Sequence, residues 1–248
     1  RYYNIPTVRP PKGVHPRVLI TEEDIPTILK NATSDENIKN WNECLRLANL
    51  ENDGVLPDTT AATNYDAVTL GAIQSRAFLY ALTGDKKMGE SAISSVKNFC
   101  NSYVYPPLAE NRYNEVGFTA FTIAVVYDWC FSLLSEQDKT ELTELAVYML
   151  SLTEVGYPPI YQNSFNGHGS ESQMLRDSVA VAIAMADERP DIYDNVAGRI
   201  FEQYVPDRKF LFQAHMSLYS DVYSGYRGWG DILCAAMFDK FQQSLVLK

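Results

Sequence analysis

Two stretches of this 248-residue chain concentrate polar and aromatic side chains beyond what packing requires. The first is Tyr161-Gln162-Asn163-Ser164-Phe165-Asn166-Gly167-His168-Gly169-Ser170-Glu171, and the second runs from Gln213 through Asp221, Tyr223, Tyr226, Arg227 and Trp229 to Gly230. In the first, His168 lies between two glycines, which permit close approach by a ligand, and Glu171 follows one helical turn later. In the second, Tyr223 and Tyr226 stand three apart in a Gly- and Ser-rich loop, and Arg227 beside them is the natural contact for an anion. An imidazole, a carboxyl and a phenol are the groups that move protons, so the chemistry on offer is acid–base. Each group also has a structural alternative. His168 could cap a helix, Glu171 could complement a helix dipole, a tyrosine could pack, and Arg227 could stack on Trp229.

These stretches precede helices of a particular kind. Asn64 to Leu82, Gly117 to Leu134, Ser172 to Ala186 and Asp231 to Phe238 are almost wholly apolar, with only Asp66, Arg76, Asp128, Arg176, Asp177 and Asp231 charged. A helix apolar on every side must be buried on every side. Between them run amphipathic segments. Leu142, Leu145, Met149 and Leu152 recur at helical spacing between Ser135 and Leu152, and Ile192, Val196 and Ile200 repeat the pattern. Gly84-Asp85 and the Ser135/Asp138 pair supply the caps. Inner helices therefore begin near 64, 116, 171 and 230 and alternate with outer ones. Strand signals are scarce, so the expected class is all-α, an (α/α) toroid of helical hairpins.

In such a ring the N-terminal ends of the inner helices face a common cavity mouth, so the two polar stretches can converge there. Helix N-termini also suit a carboxylate or a sulfate. Arg227, with Arg176, would make that mouth locally positive. Asp128, in Tyr127-Asp128-Trp129, is surrounded by apolar residues and must be a paired hydrogen-bond acceptor.

The rest of the chain sets bounds. Residues 1–20 carry four of the 12 prolines and read as an extended arm. Residues 21–248 form the toroid, with the first helix capped at Thr21-Glu22-Glu23-Asp24 and a second between Ser34 and Leu50. The last inner helix has no outer partner before Lys248, so the ring is expected to be incomplete. A net charge of −10 argues against a nucleic-acid partner. The longest apolar runs are far shorter than the ~20 residues of a membrane span. Cys44, Cys100, Cys130 and Cys234 show no Cys-x-x-Cys spacing and read as core residues. The first residues do not read as a signal peptide.

The sequence resembles the heparinase II/III-like polysaccharide lyases. His15-Pro16-Arg17-Val18-Leu19-Ile20-Thr21 resembles the His-Pro-Arg stretch before their first helix, and Val126-Tyr127-Asp128-Trp129 their Tyr-Asp-Trp helix. Gly167-His168-Gly169-Ser170-Glu171 resembles their Gly-His-x-x-Glu, followed by Asp221-Val222-Tyr223 at a similar interval. The resemblance implies a toroid followed by a β-sheet domain, a secreted or periplasmic location, and β-elimination on a polysaccharide containing uronic acid. His168 and Tyr223 would be the catalytic positions, Tyr226 a rival to Tyr223, and Glu171 the residue beside the substrate carboxylate. Asn163, Asn166 and Arg227 are further types that could neutralise that carboxylate, with Trp229 and Arg176 lining the substrate. A further histidine would come from the sheet domain, so this chain alone would be a poor catalyst. No cofactor or metal is implied. Two other readings stand beside it. One is a glycan-binding domain that does not cut, and the other is a glycoside hydrolase using Asp128 and Asp221 across the cavity.

Overall fold

The computed structural model describes residues 3–4, 8–56, 67–103, 113–153, 157, 173–213 and 224–242. Among these residues the chain is helical, with no strand. Residues 8–20 run without helix or strand. The carboxylate of Asp24 then accepts from the Thr21 N–H (2.8 Å) and O–H (3.0 Å), which opens the first helix as the acidic run suggests. Helices α1 (Ile25–Ala32) and α2 (Ile38–Ala48) follow.

The next helices form an alternating series. α3 (Ala67–Thr83) buries Leu70, Ala72, Ile73, Ala77 and Leu79 and packs on α4 (Lys86–Ser102). Gly84 turns between them at φ +72°, and the Asp85 carboxylate accepts from the Lys87 N–H to start α4. α4 is amphipathic, burying Ala92, Ile93, Val96 and Phe99 along one face. α5 (Tyr113–Trp129) is buried on all sides from Val116 to Asp128, apart from a partly open Phe118. It packs on α6 (Glu136–Ser151), whose capping box joins Ser135 and Asp138. α7 (Val179–Ala184) has all six side chains buried. A π-helical lead-in, Gln173–Ser178, precedes it, and it packs on α8 (Pro190–Arg199). A second π segment, Ile200–Tyr204, leads to α9 (Val205–Gln213), and α10 (Ser224–Gln242) closes the series.

The buried helices contact one another in order: α3 with α5, α5 with α7 and its lead-in, and both of these with α10. Each of α3, α5 and α7 carries a more exposed partner on one flank. The alternation of apolar and amphipathic segments is thus the alternation of two packing layers.

One boundary differs from the sequence reading. The stretch ending at Gly230 reads as a loop through Trp229, but α10 begins at Ser224, so Tyr226, Arg227 and Trp229 are helical. Glycines at 225, 228 and 230 suggest a turn on propensity alone. Packing overrides this, because a Cβ on Gly230 would lie 3.3 Å from the Leu175 side chain, so the missing side chain lets α10 approach the π lead-in closely.

Candidate functional site

His168, Glu171, Asn163, Asn166, Tyr223 and Asp221 lie outside the described residues. For Tyr226 and Arg227 only the helical backbone is described. What the structure does place is the pair of helix starts that hold them. Residues 163–171 run directly into Gln173–Ser178, and residues 223–229 run into the first turns of α10. The Leu175–Gly230 contact sets these two starts against each other.

Arg176 is mostly covered. Its Nε donates to Asp177 Oδ1 at 2.5 Å, and its guanidinium lies 4.9 Å from the centre of the Phe118 ring. Its remaining exposure is about a fifth of the side chain. Asp177 is wholly buried, its Oδ2 has no hydrogen-bond partner, and burial pushes its carboxyl up to about 6 against the opposing pull of Arg176. A π segment makes room for this arrangement by inserting one residue into the helical turn, a device frequent at functional sites. Trp229 is 61% exposed on the second turn of α10, so its indole face is open to solvent beside the helix start.

The opposite ends of the buried helices are tied by residues 11–24. Asp128, near the C-terminal end of α5, is 1% exposed. Its Oδ1 lies 2.6 Å from His15 Nδ1, and its Oδ2 accepts from the N–H groups of Arg17 (2.9 Å) and Val18 (2.8 Å). It is the paired acceptor the sequence requires, and its donors come from the His-Pro-Arg stretch. Arg17 continues the tie to the end of α7, donating from Nε to the Ile183 carbonyl and from Nη2 to that of Ala184. Lys240, near the end of α10, donates to Asp24 at 2.8 Å. Ala81 and Gly84, at the end of α3, share a cleft with His15, Glu22 and Asp128. One short segment therefore meets the C-terminal ends of α3, α5, α7 and α10, so these helices point the same way.

The sequence reading singled out the His-Pro-Arg stretch without seeing that His15 is the partner of Asp128. The signal was present, since an aspartate inside an apolar helix and a histidine beside a buried strand of chain each need a counterpart. Asp231, the leading acid of α10, is likewise structural. The Tyr204 hydroxyl donates to its carboxylate, and Arg208 Nε donates to the Tyr204 oxygen at 2.6 Å.

The cysteines offer no nucleophile. Cys100, Cys130 and Cys234 are buried, Cys44 is partly so, all four are free thiols, and burial raises the pKa of Cys44, Cys130 and Cys234. Among the described residues, no group of three His, Cys, Asp or Glu side chains is arranged to hold a metal, and no helix is long and apolar enough to cross a membrane. No family model matches the chain, and no curated protein matches it.

Proposed function

We propose that the chain is the toroid of a polysaccharide lyase that cleaves a uronic-acid-containing polymer by β-elimination. The observation that carries this reading is the alignment of the buried helices. With their C-terminal ends gathered by residues 11–24 and the Leu175–Gly230 contact at the other end, the starts of the π lead-in and of α10 lie on one side of the layer, and His168 and Tyr223 precede those two starts in the sequence. Curvature of the layer into the incomplete ring is supported by residues 22–24, which meet the end of α10 through Asp24–Lys240 and the end of α3 through the cleft at Glu22.

In this reading the helix starts and Arg227 receive the substrate carboxylate, with Glu171, Asn163 or Asn166 beside it. Neutralising that carboxylate acidifies the C5 proton, because charge developing in the enolate-like transition state is stabilised. The C5–H bond breaks toward a base, the C4–C5 double bond forms, and O4 departs with a proton delivered by Tyr223 or Tyr226. His168 is the base or holds the sugar, and the exposed Trp229 supplies a face for stacking. Asp128 is unsuited to the hydrolase alternative. Both of its oxygens are taken by donors.

The test follows the absorbance of unsaturated uronate with the full-length protein on a panel of uronate polymers, beside His168→Ala, Tyr223→Phe and Tyr226→Phe. Product formation that falls at least ~10²-fold in His168→Ala and in one tyrosine variant supports the assignment. Saturable binding without unsaturated product identifies a glycan-binding domain instead, and product formation indifferent to all three variants removes these residues from the mechanism.

A further inference from the structure

We infer a second, non-cutting ligand site at the opposite end of the helices, a cleft that takes a neutral sugar ring or comparable polyol. The cleft encloses about 320 Å³ and lies where the ends of α3 and α5 meet the N-terminal segment, between Glu22, Tyr80, Gly84, Trp129 and Ser132, with His15 in its wall. That volume is at the small end of the ~300–1,000 Å³ range of small-molecule sites, enough for one ring but not for a chain.

Its chemistry selects against an anion and offers mostly neutral groups. Among the described residues no lysine or arginine lines it to compensate an anion. Of its two carboxylates, Asp128 is committed to three protein donors, which leaves Glu22 as the only unspent charge. The remaining polar groups are neutral. The Tyr80 and Ser132 hydroxyls lie 2.7 Å apart, and because only one hydrogen can lie between them, the pair keeps one O–H to donate outward and lone pairs to accept. His15 has its Nδ1 on Asp128, while its Nε2 is buried without a hydrogen-bond partner. In the tautomer that donates from Nδ1 to the carboxylate, Nε2 is an acceptor. Phe131 is covered by the His15 ring at 3.8 Å and approached by Lys139 at 4.5 Å, so the aromatic faces left to the cleft are those of Tyr80 and Trp129. The indole N–H of Trp129 is spent on the Val18 carbonyl, which fixes its ring. Rigid aromatic faces flanked by hydroxyls, a carboxylate and an imidazole acceptor match a ligand that presents C–H faces and several hydroxyls.

The experiment is saturation-transfer NMR on the chain with glucose, galactose, mannose and xylose, and with glucuronate and ethanolamine as charged comparators. Saturable binding of at least one neutral sugar is expected, weakened at least tenfold in both Ser132→Ala and Glu22→Gln. Thermal melts at the wild-type temperature would show that these exposed substitutions leave the fold intact. Tyr80→Phe is a third probe, because it removes the phenol oxygen while keeping the ring. Neutral sugars that do not saturate, binding that survives all three substitutions, or binding confined to ethanolamine or glucuronate would overturn the proposal. The readout does not depend on the lyase reading, since it follows binding of a neutral sugar and uses none of the residues proposed for elimination.

Discussion

His15 Nδ1 and Asp128 Oδ1 stand 2.6 Å apart, with side chains 3% and 0% exposed, although 113 residues separate them in the chain. Asp128 also accepts two backbone N–H groups, so one carboxylate fixes the N-terminal segment's path at residues 15, 17 and 18. Removing it strands all three donors in a dry environment. Asp128→Ala should therefore destabilise the fold by about 3–5 kcal/mol, with Asp128→Asn costing less because an amide oxygen can still accept. Urea denaturation checks this, and a loss below ~1 kcal/mol for Asp128→Ala would mean that the tie is dispensable.

Arg17 should not tolerate lysine. Its guanidinium reaches the carbonyls of Ile183, Ala184 and Pro11 and approaches Asp187 at 3.3 Å, which requires donors fanned across a plane. An ammonium on a flexible stem can satisfy one or two of these at once. Arg17→Lys is expected to cost about 2 kcal/mol, read as a lower denaturation midpoint with an unchanged slope.

Much of this fold is legible in the sequence because burial is written into composition. α5 and α7 are apolar on every side, and such helices have only the interior to occupy. The caps at Asp85 and at Ser135/Asp138 are also local, set by side chains two or three residues from the N–H groups they satisfy. The pairing of His15 with Asp128 is not local, and nothing in either neighbourhood names the other. The start of α10 at Ser224 departs from local propensity for a related reason. Glycines that weaken an isolated helix are retained where another helix must come close, and Leu175 is 55 residues from Gly230. The π lead-in before α7 is equally invisible to a periodicity of 3.6.

Gly54 should resist substitution. Its φ of +88° lies in the left-handed region, and a Cβ there would sit 2.1 Å from the Ser95 carbonyl oxygen, a backbone atom of α4 that cannot swing aside. Gly54→Ala thus combines a conformational cost of roughly 1–2 kcal/mol with a displacement of the loop from α4. A total loss above ~2 kcal/mol is expected in thermal or urea unfolding, and a neutral variant would show that the loop leaves α4 freely.

Asp177 should give the protein a stability component that runs against its other carboxylates. In the unfolded chain this carboxyl ionises near its ordinary value of 3.8, whereas in the folded protein burial holds its proton to about 6. Between those values the folded state binds more protons than the unfolded one, so stability from this group falls as pH rises and is lowest above about pH 6. The shift corresponds to roughly 3 kcal/mol. Asp138 and Asp191 work in the opposite sense. Lys97 holds the first at about 2 and Arg189 the second, so their contributions are lost only as pH falls below the ordinary carboxylate range. Asp177→Asn removes the titrating group while keeping an oxygen for Arg176 Nε, and it leaves Asp138 and Asp191 unchanged. The difference in unfolding free energy between Asp177→Asn and wild type should therefore grow in favour of the variant from pH 4 to pH 6.5 and then level off. Urea titrations at half-unit pH intervals measure that difference directly. Parallel profiles for the two proteins would mean that the buried carboxyl ionises at its ordinary value, and that the unpaired Oδ2 is reached by a donor, so that the π segment shelters no strained charge.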